Sequence, residues 1–174
     1  MKSINRKLII IICAVVSIIM FFLVLYIPVQ PSGTILTQGW MIGESDNSTL
    51  VEIPFYKQVE ESTTIALSKG VEYAQGDALV LTWFRSQAIK IFINDQLVFA
   101  QGNSNAPTAN LWNNTFLIQL PEPIDGQNTV EIQLTSASYP FYIPIPPYIL
   151  PLENAETKVG LINFFYGDLL LLSI

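Results

Sequence analysis

The chain has 174 residues, 51% hydrophobic and 13% charged, which fits one ordinary domain with a membrane anchor rather than a disordered segment. Residues 28–158 carry five basic and thirteen acidic residues, a net charge of −8, which disfavours nucleic acid as a partner. The sequence has no histidine and one cysteine, which excludes an intrachain disulfide, the usual zinc sites, Ser-His-Asp triads and Cys-His pairs.

The first predicted elements are a cytoplasmic N-terminus over residues 1–7 and a transmembrane helix over residues 8–27. Residues 8–27 include no charged side chain, and a helix of this length spans about 30 Å, the thickness of a bilayer core. Lys2, Arg6 and Lys7 precede this run and should stay in the cytoplasm. We therefore expect contact with membrane lipid, a cell-membrane location and an extracytoplasmic main domain.

A cleaved signal peptide is the alternative for this apolar segment. The apolar core of a signal peptide is usually shorter, and a cleavage site flanked by small residues follows it. The residues after Tyr26 read IPVQPSG and offer no good site of this kind. The sequence therefore favours an uncleaved anchor.

Residues 28–139 predict an extracytoplasmic β-sandwich domain. Short apolar runs, rich in β-branched and aromatic residues, alternate there with turn-forming residues, a spacing typical of sandwiches. The predicted strands are residues 50–55, 63–67, 78–84, 88–94, 97–100, 115–120 and 129–135. The predicted turns are residues 68–70, 75–77, 94–95, 121–123 and 125–128. Trp40 and Trp83 lie near these strands and are expected in the core.

The clearest local pattern is a hairpin centred on Asn94 and Asp95, two residue types that tolerate the positive φ of a tight hairpin turn. Apolar residues alternate onto one face before and after this turn: Ile89, Ile91 and Ile93, then Leu97 and Phe99. We expect the isoleucines in the core, so an aspartate at position 91 or 93 should destabilise the domain severely.

Residues 140–158 form a proline-rich segment. Five prolines among residues 140–151 argue against a helix or a central strand and favour an extended conformation close to polyproline II. We predict a return segment that leads the chain back from the domain to the membrane. A proline-rich recognition motif is the alternative.

The last predicted element is a short apolar helix over residues 159–174. A helix of this length spans about 24 Å, which is short for a bilayer, and Asp168 would be costly within lipid. Three interpretations stay open: a truncated second transmembrane segment, an interfacial or partner-docking helix, or a buried element of the domain. The exposed apolar end favours the first.

Two stretches of the sequence resemble the galactose-binding-like jelly roll. Residues 94–98, Asn-Asp-Gln-Leu-Val, are similar to the hairpin of that family, although Asp95 stands where glycine is usual. Residues 126–132, Gly-Gln-Asn-Thr-Val-Glu-Ile, are similar to a later strand of the family. The resemblance covers residues 50–135 and implies an all-β jelly-roll sandwich. Many members bind carbohydrate, and many others brace a neighbouring domain.

The order of the segments resembles the extracytoplasmic sensory region of bacterial membrane receptors that carry diguanylate cyclase or histidine kinase modules. The resemblance implies a sensory or ligand-recognition module of a membrane signalling protein, acting with a signalling partner and without catalytic activity of its own. This chain contains no GGDEF motif and no kinase box. The alternative is a structural cell-surface jelly roll that mediates protein contacts or binds carbohydrate.

The candidate ligand-binding residues lie in the polar loop of residues 101–114. Trp112 could stack on a pyranose face, and amide side chains could bond sugar or small-molecule hydroxyls. These amides are Asn103, Asn105, Asn110 and Asn113. The alternative is an ordinary solvated loop whose Trp112 packs into the core.

Enzymatic and metal sites are not indicated by the sequence. Glycoside hydrolysis needs two carboxylates that face a cleft, whereas the adjacent Glu60 and Glu61 are typical of a solvated surface. Asp95 and Asp125 could contribute oxygen ligands to calcium, but neither belongs to a calcium-loop signature. We therefore expect no enzymatic activity, no cofactor and no metal site.

Overall fold

The computed structural model describes residues 6–26, 31–43, 48–103, 111, 114–137 and 139–164. The helices are α1 (Arg6–Tyr26) and α2 (Leu152–Asn163). The strands are β1 (Thr34–Ile35), β2 (Trp40–Ile42), β3 (Thr49–Val51), β4 (Phe55–Lys57), β5 (Thr63–Val71), β6 (Asp77–Thr82), β7 (Ala88–Ile93), β8 (Gln96–Gly102), β9 (Thr115–Gln119), β10 (Asn128–Ser136), β11 (Phe141–Ile143) and β12 (Tyr148–Pro151).

Helix α1 covers nearly all of the apolar run near the N-terminus. Side chains are described for residues 9–19 and 21 of this helix, and all of them are exposed. Across the described residues, no helix combines the length and the apolar character needed to cross a bilayer. The transmembrane span predicted for residues 8–27 stays a prediction.

The strands form two larger antiparallel sheets and one two-stranded ribbon. The order is β1-β12-β6-β9 in the four-stranded sheet and β3-β2-β5-β10-β7-β8 in the six-stranded sheet, while β4 pairs with β11. Strand β10 lies inside the larger sheet and pairs along its whole length with β5, from Asn128 opposite Val71 to Ser136 opposite Thr63. The predicted all-β sandwich is confirmed.

Alternating side chains from both sheets meet in one hydrophobic core. Trp40 is fully buried there, and its indole Nε1 donates a hydrogen bond to the carbonyl oxygen of Leu36 at 2.7 Å. Trp83 is only half-buried and follows the end of β6, with a φ of +50°. The expected core position is thus confirmed for Trp40 and holds only in part for Trp83.

The predicted hairpin turn joins β7 to β8. Asn94 has a φ of +49° and Asp95 a φ of +63°, and a type I′ turn requires positive φ at both of these positions. The side chains of Ile89, Ile91 and Ile93 are all buried in the core. The inward alternation of β7 is therefore confirmed.

The return strand of this hairpin departs from the predicted alternation. The register shifts between Ile91 and Phe92, so that Ile91 lies opposite Phe99 and Phe92 lies opposite Leu97. Because such a bulge changes which residues share a face, Phe99 packs against the core while Leu97 is 50% exposed. The expectation that both residues face inward was wrong for Leu97.

Two other predicted boundaries were also wrong. The strand predicted over residues 50–55 is divided into β3 and β4, with Pro54, which has no N–H group, between them. The turn predicted over residues 68–70 lies inside β5, which continues to Val71. Pairing with β10 along the whole of β5 outweighs the local turn preference of these residues.

The proline-rich segment contains strands, contrary to prediction. Strand β12 even occupies an interior position between β1 and β6. Its prolines lie around the strand: Pro146 and Pro147 precede it, and Pro151 is its last residue. Residues 148–150 therefore keep the N–H groups that a central strand needs. The sandwich extends past residue 139 to include this segment.

Helix α2 covers the outer face of the four-stranded sheet. Ala155, Val159 and Ile162 are buried at helical spacing. They face the outward side chains of β6 and β12, namely Ala78, Val80, Tyr148 and Leu150. The helix begins at Leu152, earlier than predicted, because the residues before 159 also supply its buried stripe. The described part of the predicted tail helix is thus an element of the domain, and residues 165–174 lie outside the described residues.

Tyr148 lies fully buried beneath α2. Burial raises the pKa of its hydroxyl to about 12, and the neighbouring Thr82 hydroxyl lowers that pKa by a smaller amount. The Lys158 ammonium lies 4.9 Å from the centroid of the Tyr148 ring and donates a hydrogen bond to Ser32 Oγ at 3.0 Å. These contacts join α2 to the segment that leads into β1.

Candidate functional site

The outer face of the six-stranded sheet is open and carries a group of polar side chains in the part of the chain that the structure describes. Side chains directly opposite each other on paired strands share one face, so the register defines rows across it. One row contains Thr64, Thr135 and Ala88, and the next contains Ala66, Gln133, Lys90 and Ala100. Thr64 and Lys90 are exposed, whereas Gln133 and Thr135 are half-buried.

Hydrogen bonds hold several of these side chains in place. The hydroxyls of Thr64 and Thr135 lie 2.9 Å apart across β5 and β10. The amide nitrogen Nε2 of Gln133 donates to Oε1 of Glu131, two residues along the same strand, at 2.7 Å. Because β10 is paired on both sides at these positions, Gln133 and Thr135 have defined positions on a rigid surface.

Three adjoining depressions of about 300, 210 and 220 Å³ follow this face. The first two share Thr64 and Gln133, and the last two share Ala88 and Lys90, so the three form one continuous groove. Lys57 lines one end of it and Asn103 the other. Strands lie ~4.8 Å apart, so the distance across the sheet from β5 to β8 is about 14 Å. We call this feature the sheet groove.

The sheet groove offers hydroxyl, amide and ammonium groups. Hydroxyls and amides both donate and accept hydrogen bonds, and ammonium groups donate them. Among the described residues that line the groove, none is a carboxylic acid. The described part of the groove can therefore bind a polar ligand, but it lacks the carboxylate pair that glycoside hydrolysis uses.

The structure describes only one of the five predicted ligand-binding residues. Asn103 is exposed at one end of the sheet groove, and its backbone N–H donates to the carbonyl oxygen of Gln87 at 3.2 Å. The other four predicted residues, Asn105, Asn110, Trp112 and Asn113, lie outside the described residues. The site predicted around Trp112 stays a prediction.

The described residues do not include the cluster of acidic side chains that a calcium site would need. Within them, no group of three or more acidic or cysteine side chains is close enough to hold a metal ion. Asp95 is exposed at the tip of the β7–β8 hairpin, and Asp125 is exposed in the loop before β10. No step of the proposed function involves a metal.

Sequence reasoning missed the residues that line the sheet groove. It used the inward positions of β7 and β10 to predict the core and did not examine the outward positions between them. The signal was present as alternation: Thr135 and Gln133 alternate with buried residues in β10, and Lys90 lies between two buried isoleucines in β7. Their common row depends on pairing between distant strands, which the sequence alone did not specify.

A separate depression of about 460 Å³ lies against β1 and the end of β5. Its lining includes both Lys69 and Glu72, and the Lys69 ammonium donates a hydrogen bond to the carbonyl oxygen of Gln38. This lysine is therefore already engaged within the protein. The sheet groove, which is continuous across several strands, is the stronger candidate.

No protein-family model and no curated protein matches this sequence. Among solved structures, a candidate beta-galactosidase from Bacteroides fragilis matches with a TM-score of 0.50 at 12% identity, covering 67% of this chain and 22% of that one. An FMN-binding beta-glucuronidase from Facaelibacterium prausnitzii L2-6 matches with a TM-score of 0.49 at 12% identity, covering 68% and 22%. The PA14 sugar-binding domain of an RTX adhesin matches with a TM-score of 0.35 at 19% identity, covering 51% and 45%.

The first of these likenesses supports the fold and nothing further. At 12% identity the shared feature is the sandwich architecture, which agrees with the predicted jelly roll. The chain corresponds to less than a quarter of the enzymes' length, since it covers 22% of each of the first two. None of the three is named for signalling, so the predicted sensory role stays a prediction.

Proposed function

We propose that this chain is a carbohydrate-recognition module whose ligand lies in the sheet groove. The observation that carries the proposal is the difference between the two outer faces: α2 covers one sheet, while the other presents ordered hydroxyl and amide groups. Sugar hydroxyls pair with such groups through hydrogen bonds. The fold is also similar to part of a structure named for action on a galactoside.

The proposed module has no catalytic activity of its own. The sequence lacks histidine, and the described lining of the sheet groove contains no acid that could protonate a leaving group. Recognition by a rigid strand face needs neither group. The predicted alternative of a carbohydrate-binding surface is therefore preferred to a hydrolase.

Replacing Gln133 should weaken sugar binding, because its amide lies in the middle of the groove. One lost hydrogen bond is worth about 1 kcal/mol, so Gln133→Ala should raise the dissociation constant about fivefold. The full chain is first screened against immobilised neutral and acidic oligosaccharides, and the best ligand is then titrated calorimetrically.

Gln119→Ala is the matched control, because Gln119 is an exposed glutamine at the end of β9 in the other sheet. Its binding should equal that of the unmodified chain. If no oligosaccharide in the screen binds, or if Gln133→Ala and Gln119→Ala bind equally well, the proposal fails.

We also propose that the uncharged segment of residues 8–27 anchors this module at a membrane, with the sandwich outside. The support is the uncharged sequence of residues 8–27 and the basic residues before it. Protease added to intact cells should digest the sandwich and leave the N-terminal segment protected. Protection of the sandwich in intact cells, lost only on lysis, would contradict this arrangement.

A further inference from the structure

The sheet groove reverses the sign of charge that prevails in the rest of the domain. Residues 28–158 carry five basic and thirteen acidic residues. Two of those five, Lys57 and Lys90, line the groove, while no carboxylate is found in its described lining. This concentration of positive charge on an acidic domain points to an anionic ligand.

The two ammonium groups flank the polar centre of the groove. Lys57 is exposed on β4 and lines the first depression, whereas Lys90 is exposed on β7 and lines the second and third. Thr64 and Gln133 line both the first and the second depression and so lie between them. A bound chain would therefore meet charge, then hydroxyl and amide groups, then charge again.

Both lysines are free to bind a ligand. Among the described residues, neither Lys57 nor Lys90 has an ion pair or hydrogen bond. Glu131 lies on the same sheet face and accepts a hydrogen bond from Gln133, so it adds one negative charge beside the two lysines. By contrast, Lys69 and Lys158 are engaged by the Gln38 carbonyl and the Ser32 hydroxyl.

We infer that the sheet groove binds an acidic polysaccharide, a sugar chain whose rings carry carboxylate or sulfate groups. The inference rests on the proposed function and names its ligand class. Lys57 and Lys90 would bind anionic groups on separate rings, while Gln133 and Thr64 bond the hydroxyls between them. The groove crosses about 14 Å of sheet, which is longer than one sugar ring.

The overall negative charge of the domain does not prevent this binding. At physiological ionic strength, exposed charges more than about 8 Å apart are largely screened, so the groove's own lysines dominate locally. Duplex DNA carries one charge per ≈1.7 Å and would also meet the acidic remainder of the surface. An acidic polysaccharide carries its charges on separate sugar rings and can match two separated lysines.

The test compares one sugar backbone in charged and neutral forms. Four polymers are titrated separately into the full chain at physiological salt. They are polygalacturonate, its neutral methyl ester, the sulfated polysaccharide dextran sulfate and the non-sugar polyanion polyglutamate. We expect binding to polygalacturonate or dextran sulfate, or to both, and at least tenfold weaker binding to the methyl ester and to polyglutamate. Comparison of polygalacturonate with dextran sulfate distinguishes recognition of carboxylate groups from recognition of sulfate groups.

Charge-removing variants then assign the site. Lys57→Gln and Lys90→Gln should each weaken binding about fivefold, as expected for about 1 kcal/mol per ion contact near water, while Lys90→Arg should retain it. Lys158→Gln removes the same charge from α2, which covers the other sheet, and should bind like the unmodified chain. Melting curves of all variants check that they are folded.

The outcomes separate this inference from the proposed function. Equal binding of polygalacturonate and its methyl ester, weakened by Gln133→Ala, would overturn the acidic ligand class and leave carbohydrate recognition standing. Binding of polyglutamate as tight as that of the acidic sugars would also overturn it, because sugar hydroxyls would then be irrelevant. No binding of any sugar would remove both proposals.

Discussion

Ile91→Asp is expected to abolish the cooperative unfolding transition of the sandwich. Ile91 is fully buried in β7, opposite Ile132 on one side and Phe99 on the other. Losing its apolar contacts costs about 2–5 kcal/mol, and burying an unpaired carboxylate costs about 3–5 kcal/mol more. The total matches the whole stability of an ordinary domain, about 5–15 kcal/mol, so the variant should be largely unfolded at room temperature.

Thermal melting followed by near-ultraviolet circular dichroism measures this effect. Leu97→Asp is the matched control, because it introduces the same charge in the same hairpin at a side chain that is 50% exposed. That variant should melt within a few degrees of the unmodified chain. A normal transition for Ile91→Asp would refute the inward orientation of β7.

Asn128→Ala should lower the free energy of unfolding by about 2–4 kcal/mol. Asn128 is 2% exposed, and its Oδ1 accepts hydrogen bonds from Asn94 Nδ2 at 2.8 Å and from the Ile124 N–H at 3.0 Å. The Oδ1 of Asn94 in turn accepts from the Thr129 N–H at 2.8 Å. Truncation removes the partner of two donors, the half-buried Asn94 amide and the Ile124 N–H, and an unsatisfied donor costs about 1–3 kcal/mol.

Urea denaturation of Asn128→Ala, Asn94→Ala and the double variant measures the coupling between the two asparagines. Because they share a direct hydrogen bond, the double variant should lose less than the sum of the single losses, by about 1 kcal/mol. Gln127→Ala, at an exposed neighbour, serves as the control and should change stability by less than about 0.5 kcal/mol. Additive losses would show that the two turns are held independently.

The hairpin and the asparagine pair show what the sequence could predict. Alternating isoleucines and the Asn94–Asp95 turn are local signals, so both the strand face and the turn were correct. The resemblance to the galactose-binding-like family rested on two short stretches containing Asn94 and Asn128. In the folded chain these two residues bond each other, so the two stretches lie side by side.

The wrong boundaries arose where distant pairing outweighs local preference. Gly70 suggested a turn, yet it lies opposite Thr129 in a ladder that runs along the whole of β10. The prolines of residues 140–151 suggested a spacer, yet their placement leaves residues 148–150 free to pair with β6. Neither partner strand is near in sequence, so no local pattern indicated the outcome.

The candidate site was less predictable than the fold. Loop composition directed attention to residues 101–114, of which Gln101, Gly102 and Asn103 line the sheet groove among the residues that the structure describes. The groove itself is assembled from β5, β7 and β10, whose outward residues are unremarkable when read one strand at a time. Only the register places Lys90 beside Gln133 and Thr64 beside Thr135.

The pairing of β1 with β12 determines how the domain would respond to mechanical force. These strands are antiparallel, with Thr34 opposite Ile149, so the segment leading into β1 and the helix following β12 depart from the same end of the pair. Tension applied between those two segments would load the hydrogen bond between Lys158 and Ser32 first. It would then break the hydrogen bonds of the strand pair one after another, because a force applied at one end of the pair acts on the nearest bond first. Pulled in this direction, the β1–β12 pair opens at low force.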